Sequence, residues 1–219
     1  LSSITAVMPE LLHKKGDFMM KKNYFIRSFN IALTFKLASM FLIILGWAVK
    51  YFMSITATDH AVIFHKLIIT INYFASVFIL VGFLFIITVF LLVSLELVSR
   101  LLNDKVWNYF KSVYRTLSLR NFLYQSEHKE KIVTIEGQPI TTYNPVNVTF
   151  NRAARKCVVD IKKDTVTVFL KVPKTQQAQK LLNEMIEQIK EEISNRNPDY
   201  FFSSEQRIGT NIWFEGKRR

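Results

Sequence analysis

Hydrophobic positions along this chain form two long apolar runs in the first hundred residues and shorter periodic segments afterwards. From Leu67 to Leu95, 29 consecutive residues carry no charge. About 20 such residues at 1.5 Å each cross a bilayer core of about 30 Å, so this run predicts a transmembrane helix with length to spare for tilt. The competing reading, a core helix of a soluble protein, rarely keeps an apolar run so long. An earlier run, Ile31 to Phe52, is interrupted only by Lys36 and Lys50. Both lysines lie near its ends, where a four-carbon stem carries the ammonium to the headgroups, and Trp47 and Tyr51 supply an aromatic belt beside Lys50. A signal peptide is the alternative. It is disfavoured by the long charged leader, the absence of small cleavage residues after the run, and the second span that follows.

Between the runs, residues 51–65 contain no Lys or Arg, whereas residues 1–30 hold five and residues 100–130 hold six. The positive-inside bias therefore places both termini in the cytoplasm and makes the chain a multi-pass protein of the cell (inner) membrane. His60 and His65 of the outer loop have no Cys or carboxylate cluster beside them and read as ordinary loop histidines. Asn72, with Thr70 and Ser76, reads either as a functional polar group that bonds another helix or as a structural contact to the first span. No GxxxG and no midplane ion pair suggests an ion pathway.

After Arg100, the positions Leu102, Val106, Tyr109 or Phe110, Val113 and Leu117 recur at helical spacing among Lys105, Lys111, Arg115 and Arg120. This predicts a basic amphipathic helix that continues the second span, lies along anionic headgroups with Trp107 and Tyr114 at the interface, or packs on a soluble domain. Lys36, Trp47, Lys50, Arg100, Lys105, Trp107 and Lys111 are the membrane-interface candidates. Residues 121–130 read as a linker, and a folded domain is expected over 131–219.

Within that domain, 131–135 and 140–143 read as strands around the turn Glu136-Gly-Gln-Pro139, and 146–156 as a helix or loop. Cys157–Ile161 and Thr165–Val172 predict a hairpin, with Val166, Val168, Leu170 and Val172 on one buried face. Pro173 ends the strand. Residues 175–195 predict one amphipathic helix with Ala178, Leu181, Leu182, Met185, Ile186, Ile189 and Ile193 on its apolar stripe, and 200–202 and 208–214 a last strand pair. The expected fold is a membrane α-helical hairpin of two spans followed by a small cytoplasmic α+β domain.

Composition narrows the chemistry. Half of the 219 residues are hydrophobic, and 6 Gly and 5 Pro exclude collagen-like and low-complexity readings. The lone Cys157 excludes a disulfide framework and a Cys-based zinc cluster, and its place at a strand start suggests an inert buried thiol. Residues 209–218 approach a phosphate-binding loop but fail on spacing and on the final residue, and no GxSxG, HExxH or dinucleotide fingerprint occurs. We expect no catalysis, no cofactor and no metal. Residues 131–219 hold 15 basic and 10 acidic groups, with Arg152, Arg155, Lys156, Lys162 and Lys163 close in sequence. Such a group contacts DNA phosphates or a partner protein, or is simply a solvated face.

The order of parts, with Lys-Thr-Gln-Gln-Ala-Gln-Lys-Leu-Leu at 174–182, Asn-Pro-Asp-Tyr-Phe-Phe at 197–202 and Ile-Trp-Phe-Glu-Gly at 212–216, resembles the membrane anchor and pre-motor region of FtsK/SpoIIIE-type DNA-translocating coupling proteins of Gram-positive conjugative elements. In that family an ATPase motor follows, and none falls within these residues. The resemblance implies a membrane-anchoring and docking part of a DNA-transfer assembly, a homo-oligomer whose partners are membrane lipids, other subunits of a membrane complex and DNA. A stand-alone membrane-tethered interaction or regulatory protein is the alternative, and a small transporter subunit a third. Leu1 in place of Met leads us to expect a processed, truncated or alternatively started product, with Met8 or Met19 as starts.

Overall fold

A computed structural model describes residues 23–56, 62–127, 132–133, 139–140 and 143–219. Two helices long and apolar enough to cross a membrane come first: α1 (Tyr24–Thr56) and α2 (Val62–Asn103). At 1.5 Å per residue they are about 50 and 63 Å long, so each exceeds the expected spans of 31–52 and 67–95. The excess lies largely at the ends that pack on the sheet domain.

The two helices run antiparallel and touch where side chains are smallest. Ala75 is fully buried, and a Cβ at Gly46 would stand 2.6 Å from Ile79 Cγ1 and 2.8 Å from the Ala75 carbonyl. A Cβ at Gly82 would meet Ile43 Cγ1 at 2.6 Å, but the nearest backbone atom, Ser39 O, is 3.2 Å away. A flexible isoleucine end yields and a carbonyl does not. Gly46→Ala is therefore expected to cost about 1–3 kcal/mol and Gly82→Ala less, as read by the melting temperatures of the two variants in micelles. Phe35 and Phe85 stack further along, 5.0 Å apart. The Thr70 and Ser76 hydroxyls each donate to a carbonyl of their own helix, Lys66 O and Asn72 O. His60 and the His65 side chain lie outside the described residues.

Next comes α3 (Val106–Leu123), then the two-residue strands β1 (Ile132–Val133) and β2 (Pro139–Ile140), paired antiparallel with Ile132 opposite Ile140. Most of the residues expected in these strands and their turn lie outside the described residues. Helix α4 (Pro145–Ala154) has Pro145 at its first turn and is capped by Asn144, whose side chain accepts from Val146 N.

The main sheet is antiparallel: β3 (Val158–Ile161), β4 (Thr165–Lys171), β7 (Asn211–Arg218) and β5 (Tyr200–Phe202) in that order, with β6 (Gln206–Ile208) also on β7. The single strand expected over 208–214 is instead a hairpin. Gly209 adopts φ 59°, a left-handed turn that returns the chain from β6 into β7. The helix expected over 175–195 is likewise two, α5 (Gln176–Glu184) and α6 (Ile186–Arg196), with a break at Met185. The break lets α5 pack on α4 while α6 packs on β5.

Both faces of the sheet are buried, and the pleat assigns one row to each. Val159, Val168 and Phe214 stand opposite one another and face the larger core with Leu182, Ile189 and Ile193. Val158, Phe169 and Trp213 form the adjacent row and face α1, where Phe25 and Ile26 are 2% and 3% exposed. The first turns of the hairpin thus complete the domain's second core.

Candidate functional site

The elements meet at the outer edge of β3. Every second residue of this strand turns its backbone away from β4, and an uncovered edge would leave those groups unpaired. Side chains of α3 take them up. Thr116 Oγ1 accepts from Val159 N at 2.9 Å and donates to Val159 O at 3.2 Å. Ser112 Oγ accepts from Ile161 N at 2.8 Å. Arg120 donates through Nε and Nη2 to Cys157 O at 2.9 and 2.7 Å. The spacing has a simple origin: four residues of helix rise about 6 Å and two residues of strand about 6.7 Å, so positions 112, 116 and 120 match 161, 159 and 157.

This arrangement packs α3 on the domain, one of the three placements expected for it, through a face that apolar periodicity does not mark. Its buried residues are Asn108, Ser112, Thr116, Leu119 and Leu123, while Trp107, Phe110, Tyr114 and Leu117 are exposed. The helix packs on the domain through its small polar face and turns its aromatic face outward, with Lys105 and Lys111 exposed beside it.

Arg100, expected at the headgroups, is instead 3% exposed inside the junction. Its Nε donates to Glu96 at 2.7 Å, Nη2 to Asp160 at 2.5 Å and Nη1 to Ile161 O at 2.9 Å. Phe25 lies 5.1 Å below its guanidinium, and Tyr109 5.8 Å away. A planar cation with a fixed fork of five donors is suited to joining α2 to a strand end in this way. Asp160 is 1% exposed and also accepts from Asn23 at 3.2 Å, so one buried carboxylate ties α1, α2 and β3 together. Asp104 accepts from Lys163 N and Asn108 through Oδ1, while its buried Oδ2 has no hydrogen-bond partner among the described residues and stands 3.6 Å from Arg100 Nη1. A cavity of about 460 Å³ opens between these groups and the β3–β4 turn.

The five basic candidates divide into two groups. Arg152, Arg155 and Lys156 are exposed at the end of α4, with Arg155 4.0 Å from Glu127. Lys162 and Lys163 sit at the opposite end of β3, beside Asp104, Asp160 and Asp164. The strand between them separates the groups by roughly 20 Å. Of the remaining interface candidates, Trp47 and Lys36 are exposed and Lys50 is half-buried. Cys157 is fully buried, and desolvation pushes its thiol up to about 12 against the opposing pull of the Arg120 charge. A thiol so protonated is no nucleophile near neutral pH. The same burial lowers the Arg120 pKa. Among the described residues no three His, Cys, Asp or Glu side chains are placed to hold a metal.

The residues that build the junction were not singled out by periodicity, apart from Arg100. Nothing in the apolar pattern marks Ser112, Thr116 or Asp160, and the one available signal is the spacing of four that repeats through Asn108, Ser112, Thr116 and Arg120. No family model, curated protein or solved structure matches the chain.

Proposed function

We propose that the chain is a rigid membrane anchor and docking module whose sheet domain is held against the inner face of the cell membrane as part of a DNA-transfer assembly. The observation that carries the anchoring is the shared core: Phe25 and Ile26 of one apolar helix pack on Val158, Phe169 and Trp213 of the sheet. A flexible tether needs no such contact, whereas a domain that must present one face at a fixed angle does. Insertion is supported by the exposure of the apolar helices, whose most hydropathic windows are only 11% and 6% buried within the protein. A soluble core helix would be covered. The outward Trp107, Phe110 and Tyr114 with Lys105 and Lys111 fit an amphipathic helix lying at the headgroups, with both termini cytoplasmic.

The DNA-transfer part of this reading rests on the resemblance to FtsK/SpoIIIE-type coupling proteins and on the excess of basic residues. Its test is DNA binding by the full chain in lipid nanodiscs, measured by anisotropy of a labelled duplex at rising salt. Affinity should fall steeply with salt, and replacing Arg152, Arg155, Lys156, Lys162 and Lys163 by Glu should weaken it at least tenfold. Unchanged binding after all five reversals removes these residues as the DNA site. The second reading, a stand-alone tethered interaction or regulatory protein, is favoured by the separation of the basic residues into two groups. It gains if the unaltered chain binds no duplex.

A further inference from the structure

We propose that the groove between α1, α2 and α3 holds one anionic phospholipid of the inner leaflet, with its phosphate on Lys36. The proposal rests on the reading of α1 and α2 as membrane spans. The groove encloses about 540 Å³, and its walls are overwhelmingly apolar, among them Phe29, Leu33, Val89, Val93, Val113 and Leu117. Of its polar linings, Ser28 donates to Tyr24 O within its own helix, Ser39 donates to Lys36 O, and Glu96 is held by Arg100. Lys36 lines the same groove, and no carboxylate among the described residues pairs with its ammonium.

Position selects the occupant. Asn30 of α1 hydrogen-bonds the cytoplasmic elements: it accepts from Arg120 and donates to Lys156 O. Lys36 lies six residues, roughly 9 Å, beyond it, within the apolar part of the helix. Helical side chains lean toward the N-terminus, so the lysine stem is directed back toward the headgroups. A cation with no carboxylate partner among the described residues, at that depth and above mainly apolar walls, is complementary to a phosphate carrying acyl chains. Helix α3 supplies the third wall through Val113 and Leu117, so this is a cleft formed by the fold and not merely the lipid-facing side of one helix.

The test uses the full chain, delipidated in detergent and analysed by native mass spectrometry with dioleoyl-phosphatidylglycerol or dioleoyl-phosphatidylcholine. One phosphatidylglycerol should be retained with about fivefold preference over phosphatidylcholine. Lys36→Gln should reduce the preference to within twofold, Lys36→Arg should keep it, and Val89→Phe should lower retention of both lipids by filling the groove. Equal retention of the two lipids by the unaltered chain overturns the proposal, as does preference surviving Lys36→Gln or a lipid-free dimer that closes the groove with a second copy. Release of the chain from membranes by alkaline carbonate would instead overturn the membrane reading itself, whereas a retained chain without lipid preference overturns only this site.

Discussion

Replacing Arg100 by Leu is expected to destabilise the folded chain by about 3–5 kcal/mol, the range for removing one partner from a buried ion pair. Among the described residues, the guanidinium is the group that forms ion pairs with Glu96, Asp104 and Asp160, which have side chains 8%, 6% and 1% exposed. Without it, three carboxylates face each other in a poorly hydrated junction, and Ile161 O also loses its Arg100 donor. Arg100→Lys should recover little, because a point charge cannot reach Glu96, Asp160 and a carbonyl at once. The triple change Glu96→Gln, Arg100→Leu, Asp160→Asn should be less destabilised than Arg100→Leu alone, since it removes the charges that the arginine neutralises. Denaturant unfolding in micelles, followed by the fluorescence of Trp213 in the adjoining core, measures all three. A loss below about 1 kcal/mol for Arg100→Leu would mean that water reaches the junction freely.

A fragment of residues 131–219 is expected not to form a cooperatively folded monomer. Cut there, the domain loses Leu119 and Leu123 from its larger core and the whole of α1 from its smaller one. Val158, Phe169 and Trp213 become a bare apolar row, each forfeiting about 1.5–3 kcal/mol of burial, and the β3 edge opens for pairing with other chains. Beginning the fragment at residue 104 restores α3, closes the edge and returns Tyr109 and Val113 to the row but leaves out Phe25 and Ile26, so its behaviour should be intermediate. Size-exclusion chromatography with thermal circular dichroism ranks the three chains. A monomeric 131–219 fragment with a sharp melt would show that the domain stands without the hairpin.

Much of the architecture was legible because apolar periodicity reports burial in apolar surroundings. The uncharged run from Leu67 to Leu95, the alternation through β4 and the bounds of β5 follow from it directly. It failed where burial is polar. Ser112 and Thr116 are fully buried because their hydroxyls replace a neighbouring strand, and a hydrophobic stripe on the opposite face of the same helix points attention the wrong way. Arg100 follows the same logic: a cation at the end of an apolar run reads as a headgroup anchor until its three carboxylates, one of them 60 residues later, are seen together. The basic candidates were misleading in the other sense, since neighbours in sequence are set far apart when an extended strand runs between them. The turn at Gly209 was missed because Ile208 and Ile212 sit on either side of it in an otherwise strand-like stretch.

The closing of β3 by α3 also gives the sheet a polarity. A sheet with two open edges is a template that copies of itself can extend in either direction, into ribbons or fibrils. Here one side is sealed by hydroxyls and a guanidinium, and among the described residues the side formed by the three-residue strands β5 and β6 is the one left open. A chain that adds a strand to the main sheet finds its open edge there among the described residues, and a second copy joined at that edge would end the series at two.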